Sequence, residues 1–332
     1  MNKTKANLRI VYMGTPDFAV ESLRRLVEGG YNVVGVVTMP DKPVGRHQTE
    51  LAASAVKQYA LAQGLPVLQP ERLKDEAFIE ALRALRADLQ IVVAFRMLPE
   101  VVWAMPPLGT FNLHASLLPQ YRGAAPINWA VINGDNETGV TTFFLQHAID
   151  TGNIILQRRI PIAPTDDAGT VHDALMTLGA QTVIDTVDAI LAGKANALPQ
   201  DESIQLRPAP KIFKETCRIP WAAGARCCHD FVRGLSPYPA AWTQLVVGER
   251  RQVLKIYKAH LTDSNRQRMA YDLYKPYEPN MTYPLVLIDS TLAVRLADGL
   301  FVIDELQLAG KRRMPTADFL RGFHPEDGMC VE

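Results

Sequence analysis

The feature that most narrows the folds open to this chain is an alternation of short strand-like and longer helix-like periods along its first half. "LRIVYMG" (8–14) leads into an amphipathic run (16–28). "YNVVGVVT" (31–38) precedes a second helical period (50–63), and "LPVLQ" leads to a third (75–86) before "DLQIVVAF" (88–95). Strands separated by helices need right-handed crossovers, which place helices on both faces of a mostly parallel sheet. The unbroken apolar run in "QIVVAF" fits a strand buried on both sides. The expected fold class is α/β, with a Rossmann-like, mostly parallel sheet.

A helical period at 170–191 is closed by Gly193, and "KANALPQDESIQLRPAPKIFKE" then brings Pro, Gln and charge together as a linker. Past Trp221 one helix ends near Gly234. Short alternating runs with glycine turns follow: "AAWTQLVVG", "RQVLKIYKAHL", "YPLVLIDS", "LAVRLADG" and "LFVIDELQLAG". These predict a small antiparallel barrel. The expected domains are 1–193, a linker at 194–210, and 211–332.

Charge excludes one broad class. Lys+Arg and Asp+Glu both number 35, so the chain lacks the overall basic charge of a polyanion-coating protein, and any RNA contact must be local. Eighteen basic and 21 acidic residues precede position 208, and 17 basic and 14 acidic follow, a mild tilt toward a basic second half. Cys217, Cys227, Cys228 and Cys330 form neither a disulfide framework nor a zinc-ligand spacing. Reduced thiols, a cytoplasmic location and no metal are expected. The N-terminus has no apolar region with a cleavage site, and no run approaches 18 uninterrupted apolar residues, so neither export nor membrane insertion is expected.

Three motifs stand out. "MGTPDF" (13–18) turns from a strand at Gly14 into a helix, but it is not G-x-G-x-x-G, and a tight turn accounts for it better than dinucleotide binding. "MPDKPVGRHQTE" (39–50) is a stiff, locally basic loop at the carboxyl end of a strand, where open parallel sheets border their ligand crevice. "NLHASLLPQYRGAAP" (112–126) puts Asn112 and His114 two apart on a strand, so that they share a face, and "AIDTGNII" (148–155) puts Asp150 at a turn. A single histidine on a strand is more often a satisfied core residue. With an amide donor and a carboxylate at neighbouring strand ends it becomes a catalytic candidate. An amide and an imidazole can stabilise the oxygen of a tetrahedral intermediate while a carboxylate supports the imidazole, so acyl transfer by direct amine attack needs no serine or cysteine nucleophile.

Together "MGTPDFAV", "PDKPVGR", "NLHASLLPQYRGAAPI", "GDNETGVT", "IDTGN", "KIFKE", "RGLSPYPAAW" and "LQLAGKRRMPTADFLRG" resemble the methionyl-tRNA formyltransferases, in order and along nearly the whole chain. The N-x-H plus SLLP-x-YRG core is shared by the wider folate-dependent formyltransferase superfamily. The resemblance implies transfer of formyl from 10-formyltetrahydrofolate to the α-amine of methionyl initiator tRNA. Asn112 and His114 would hold the developing oxyanion and Asp150 would support His114.

The folate pocket implied is Phe95, Arg96, Met97 and Leu98, the loop Ser116, Leu117, Leu118 and Pro119, and the run Thr138, Gly139, Val140 and Thr141. The tRNA contacts implied are Lys42 and Arg46 in the basic loop, and Lys211, Lys214, Arg233, Lys311, Arg312 and Arg313 in an OB-type barrel. A monomer is expected. Several residues depart from the family pattern: His47, Gln48 and Glu50 follow Arg46, Arg96 and Asn153 replace a small residue and an Asp, and 262–283 lacks a glycine-rich turn. The alternatives are a formyltransferase acting on an amino sugar nucleotide, which would share the trio and a similar barrel, and a non-catalytic RNA-binding protein.

Overall fold

The computed structural model describes residues 3–44, 50–262, 282–288, 291–323 and 329–332. Arg46, His47, Gln48 and most of 262–283 therefore lie outside the described residues. Contacts divide the chain into two units. The first comprises 1–126, 137–161 and 172–210, and the second comprises 127–136, 162–171 and 211–332.

The first unit is built on a seven-stranded sheet. Its elements begin β1 (Ile10–Gly14), α1 (Phe18–Glu28), β2 (Val33–Val37), β3 (Lys42–Val44), β4 (Glu50–Ala52), α2 (Ala55–Ala62), β5 (Val67–Leu68), α3 (Glu76–Ala84), β6 (Leu89–Val93), α4 (Glu100–Trp103) and β7 (Thr110–His114). Along the chain come next α5 (Pro126–Ile132), which lies in the second unit but for its first residue, then β8 (Glu137–Phe144), β9 (Ile154–Pro161) and α6 (Ala168–Leu191), whose first turn also belongs to the second unit. The sheet order is β5-β2-β1-β6-β7-β8-β9. The first five strands run parallel, and β8 and β9 close the edge antiparallel.

Strands β1 and β6 are buried along their whole length, as the unbroken apolar runs predict. The helix expected over 50–63 starts later. Residues 50–52 form β4 against β3, and Ser54 caps α2 by accepting the Lys57 N–H at 3.1 Å. Helix α6 is long and apolar enough to cross a membrane by composition alone. Its Leu175, Ala180, Val183 and Val187 are buried, and its Thr186 hydroxyl bonds Thr142 of β8 at 2.8 Å, so it packs as a core helix.

The second unit is a barrel with helices α7 (Ala225–Leu235) and α8 (Thr316–Leu320). Its strands are β10 (Ala241–Val247), β11 (Arg250–Leu261), β12 (Tyr283–Ile288), β13 (Thr291–Leu296), β14 (Gly299–Leu308), β15 (Met314–Pro315) and β16 (Cys330–Val331). The circuit β11-β10-β16-β12-β13-β14 closes through β11 against β14, an antiparallel six-stranded barrel. Closure pairs each of these six strands on both sides, with β15 added along β14. Trp221, Phe301, Leu254, Ile256, Leu292 and Leu306 fill its interior, with Trp221 edge-on to Phe301 at 5.2 Å. The two-residue strands β15 and β16 carry too little pattern to be read from sequence.

Candidate active site at the end of strand β7

Strand β7 sets the site. Asn112 pairs with Val92 and Phe143 and His114 with Thr141, so the two side chains lie two residues apart on one face. Asn112 is half-buried, and His114 is 6% exposed.

The chain leaving β7 folds back over the histidine. Tyr121 sits at φ +61° and Gly123 at φ +127°, and at Gly123 a Cβ would lie 2.5 Å from the Ala209 carbonyl oxygen. Glycine is thus required twice over, by backbone conformation and by close approach. The turn brings the Tyr121 carbonyl to 2.8 Å from His114 Nε2. A carbonyl only accepts, so Nε2 carries the hydrogen and Nδ1 is left to exchange a proton.

Nδ1 faces Asp150 Oδ2 at 3.9 Å, beyond hydrogen-bond reach but close for charges. Asp150 adopts φ +54°, in the left-handed region that an aspartate tolerates better than most residues. The Gly123 N–H donates to the same Oδ2 at 3.0 Å, and the Gln200 amide donates to the Asp150 carbonyl at 2.8 Å. Positive charge developing at His114 would face a carboxylate held in place by the Gly123 N–H.

The remaining predicted pocket residues divide. Ser116, Leu118, Pro119 and Thr138–Thr141 are buried. The Thr141 hydroxyl donates to the Ser116 carbonyl at 2.6 Å and accepts from Leu118 N–H at 3.2 Å and Gln157 at 3.0 Å. Leu117 packs on Gly139, where a Cβ would come within 2.5 Å of its Cδ2.

The open part is "FRML". Met97 is 74% exposed, Phe95 and Arg96 are half-buried, and Leu98 is buried. Met97 and Leu98 line a cleft of ≈540 Å³ with Leu73, Lys74, Pro99, Glu100 and Val101. The Arg96 guanidinium donates to the Glu71 carbonyl at 2.7 Å and to that of Pro70, and burial pulls its pKa below the ordinary range.

The predicted tRNA contacts also divide. Lys42, Lys211, Lys214, Lys311 and Arg312 are exposed. Lys211 lies 5.4 Å from the centroid of the exposed Phe213 ring. Arg233 corrects the sequence reading. Its side chain is 8% exposed, Nε bonds Asp230 at 2.7 Å, and a terminal nitrogen bonds the Asp166 carbonyl at 3.0 Å. It is a buried structural cation, because its position on α7 faces inward. Arg313 is half-committed: its fork grips Glu305 with two 2.7 Å bonds, and it stacks 4.2 Å from Tyr257.

Tyr121, Gln157 and Gln200 were not singled out from the sequence. Their partners lie far off in the chain, except for Tyr121, which acts through its backbone carbonyl, and no residue type announces that. Among the described residues no cluster of His, Cys, Asp or Glu has metal-site geometry.

Comparison with known proteins bears on the family and the fold. Residues 8–187 match the formyl transferase family, and residues 211–324 match the formyl transferase C-terminal domain. A relative from Parabacteroides distasonis named methionyl-tRNA formyltransferase is 65% identical over 326 residues, covering 96% of this chain and 97% of its own. One of the same name from Bacteroides thetaiotaomicron is 59% identical, covering 98% of each chain. Among solved structures, a sugar 3N-formyltransferase crystallised with dTDP and 5-N-formyl-THF aligns at TM-score 0.63 with 18% identity, covering 92% of this chain and 99% of that one. HypX from Aquifex aeolicus in complex with tetrahydrofolic acid aligns at 0.61 with 17% identity, covering 97% of this chain and 50% of that one. At those identities the two structures establish a shared fold.

Proposed function

The chain belongs to the formyl transferase family, and on that premise we propose that it moves the formyl group of 10-formyltetrahydrofolate onto the α-amine of methionine carried by initiator tRNA, in the cytoplasm and as a monomer. The observation that carries the reading is His114 held between the Tyr121 carbonyl and Asp150, with Asn112 on the same strand face.

Each residue then has a chemical task. Asn112 supplies amide hydrogens to the oxygen of the formyl group as the amine adds to its carbon. The neutral His114 takes the amine's proton on Nδ1 as the amine adds, the imidazolium so formed faces the oxyanion, and the same proton passes to N10 of the folate as the N10–formyl bond breaks and tetrahydrofolate leaves. Asp150 orients the imidazole and balances its charge. The loop 116–119, braced by Thr141 and Gln157, keeps these groups at fixed separation, so little reorganisation is needed when charge develops.

The cleft at Met97, Leu98 and Val101 is the part of this reading assigned to the formyl carrier. An exposed methionine and valine beside a half-buried Phe95 suit the flat face of a heteroaromatic ring. The amide-bearing edge of the pterin would be read by backbone groups of 95–98. The barrel, residues 211–332, is the tRNA-binding part of this proposal, with Lys211, Lys214, Lys311 and Arg312 toward phosphates, and Lys42 and Arg46 toward the acceptor end. So few cations supply only part of the affinity, and binding weakens with salt.

Single-turnover transfer from 10-formyltetrahydrofolate to methionyl initiator tRNA tests the reading, run beside elongator methionyl-tRNA and an amino sugar nucleotide. Fast transfer to the initiator alone is expected. Transfer only to the sugar would overturn the substrate and leave the chemistry in place.

A further inference from the structure

The segment 194–210 is expected from its composition to be a plain linker. In the fold it is a strap over the catalytic loops of the first unit. Leu198 exchanges two backbone bonds with Ile154, at 2.9 and 2.7 Å. Further on, the Arg207 carbonyl accepts the Tyr121 N–H at 2.7 Å, and the Ala209 N–H donates to the Arg122 carbonyl at 2.9 Å. Tyr121 is the residue whose carbonyl fixes the His114 ring.

Between these anchors stands Gln200, half-buried. Its Oε1 accepts from Arg122 Nε at 3.0 Å and from an Arg122 terminal nitrogen at 2.7 Å. Its Nε2 donates to the Asp150 carbonyl at 2.8 Å and the Gly152 carbonyl at 2.9 Å. A guanidinium only donates and a carbonyl only accepts, so the amide can sit in one orientation, and both of its ends are fully used. One end grips the loop over His114. The other grips the turn that carries Asp150, a residue whose left-handed backbone needs an external constraint.

We infer that Gln200 is a positioning residue for formyl transfer, setting the distance between Asp150 and His114 by tying their two loops together. This rests on the catalytic roles proposed above for His114 and Asp150. Neither glutamate nor alanine can replace it. Glutamate still accepts from Arg122 but offers no hydrogen to the two carbonyls and places a negative charge against them, and alanine frees both loops.

The test is single-turnover formyl transfer with wild type, Gln200→Ala, Gln200→Glu, Asp150→Asn and the double variant Gln200→Ala/Asp150→Asn, with hydrogen exchange used to check that each chain is folded. Both Gln200 variants should lower the rate at saturating substrate by ~10- to 100-fold, the scale of a displacement on the order of 1 Å at reacting groups, with KM changing much less. In the Asp150→Asn background Gln200→Ala should add little, since the group it places is already gone. An equal loss in both backgrounds, a loss confined to KM, or near-normal transfer by Gln200→Glu would overturn the inference while leaving the function standing. If Asp150→Asn alone transfers at the wild-type rate, the reading of the active site fails and this inference with it. Should Gln200→Ala not fold, Gln200→Glu, which keeps its Arg122 pairing, carries the test.

Discussion

Replacing Arg233 with methionine separates a structural cation from an RNA contact. Asp230, on the same helix, is 5% exposed. Burial pushes its carboxyl up, but the nearby His229, the hydrogen bonds from Arg233 and Arg226 and the Arg233 charge outweigh that and hold it at about 2, against an ordinary 3.8. The gap corresponds to about 2 kcal/mol of folding stability. Because the folded carboxyl is the stronger acid, this stability is fully present above the unfolded value near 3.8, and it is lost as pH falls toward 2.

In Arg233→Met, Asp230 keeps Arg226, whose side chain is 60% exposed, and loses its buried partner at 2.7 Å, while the Asp166 carbonyl loses its donor. Stranding a buried charge costs about 3–5 kcal/mol. Urea unfolding at pH 7 should register that loss, and the variant's stability should vary less than the wild type's between pH 4 and pH 2. The dependence of tRNA affinity on salt should not change. Unaltered unfolding, together with a salt slope reduced by about one, would show that Arg233 is a phosphate contact and that the structural argument is wrong.

His114→Ala and Asp150→Asn should each slow single-turnover transfer by on the order of 10²- to 10⁴-fold while leaving folding and RNA binding intact, and a near-normal rate in either would remove that residue from the mechanism. Thr141→Val keeps the shape but strands the Leu118 N–H and the Ser116 carbonyl, so a loss of ~1–3 kcal/mol in denaturant unfolding is expected along with slower transfer. Lys211→Gln and Lys214→Gln should each lower the salt slope of tRNA binding by about one without altering folate affinity, and no change in slope would clear that lysine of contact.

The sequence exposed what depends on local period. The runs at 8–14 and 88–95 became buried parallel strands because an uninterrupted apolar stretch has nowhere else to go, and the two-residue spacing of Asn112 and His114 placed them on one face. Tertiary hydrogen bonds stayed hidden. That Arg233 points inward depends on Asp230 and Asp166 meeting it, and a helix with cations at several positions does not announce which one is buried. That Thr141 braces the loop 116–119 depends on Ser116 and Leu118 meeting its hydroxyl, which no local period announces. The 194–210 segment looked like a linker because its prolines and charges forbid regular structure, yet backbone groups without a helix or strand of their own were free to bond the catalytic loops.

The partition of the chain between its two units carries a lesson for anyone who would cut it. The backbone passes from one unit to the other five times, at 126/127, 136/137, 161/162, 171/172 and 210/211, so neither unit is a contiguous stretch of gene. A fragment ending at 193 keeps two short pieces that belong to the barrel unit and discards the strap that the catalytic loops lean on. A fragment starting at 211 lacks those same pieces. No single joint separates the two units, since every cut leaves at least one of them divided, and exchanging the second unit whole means exchanging three segments together.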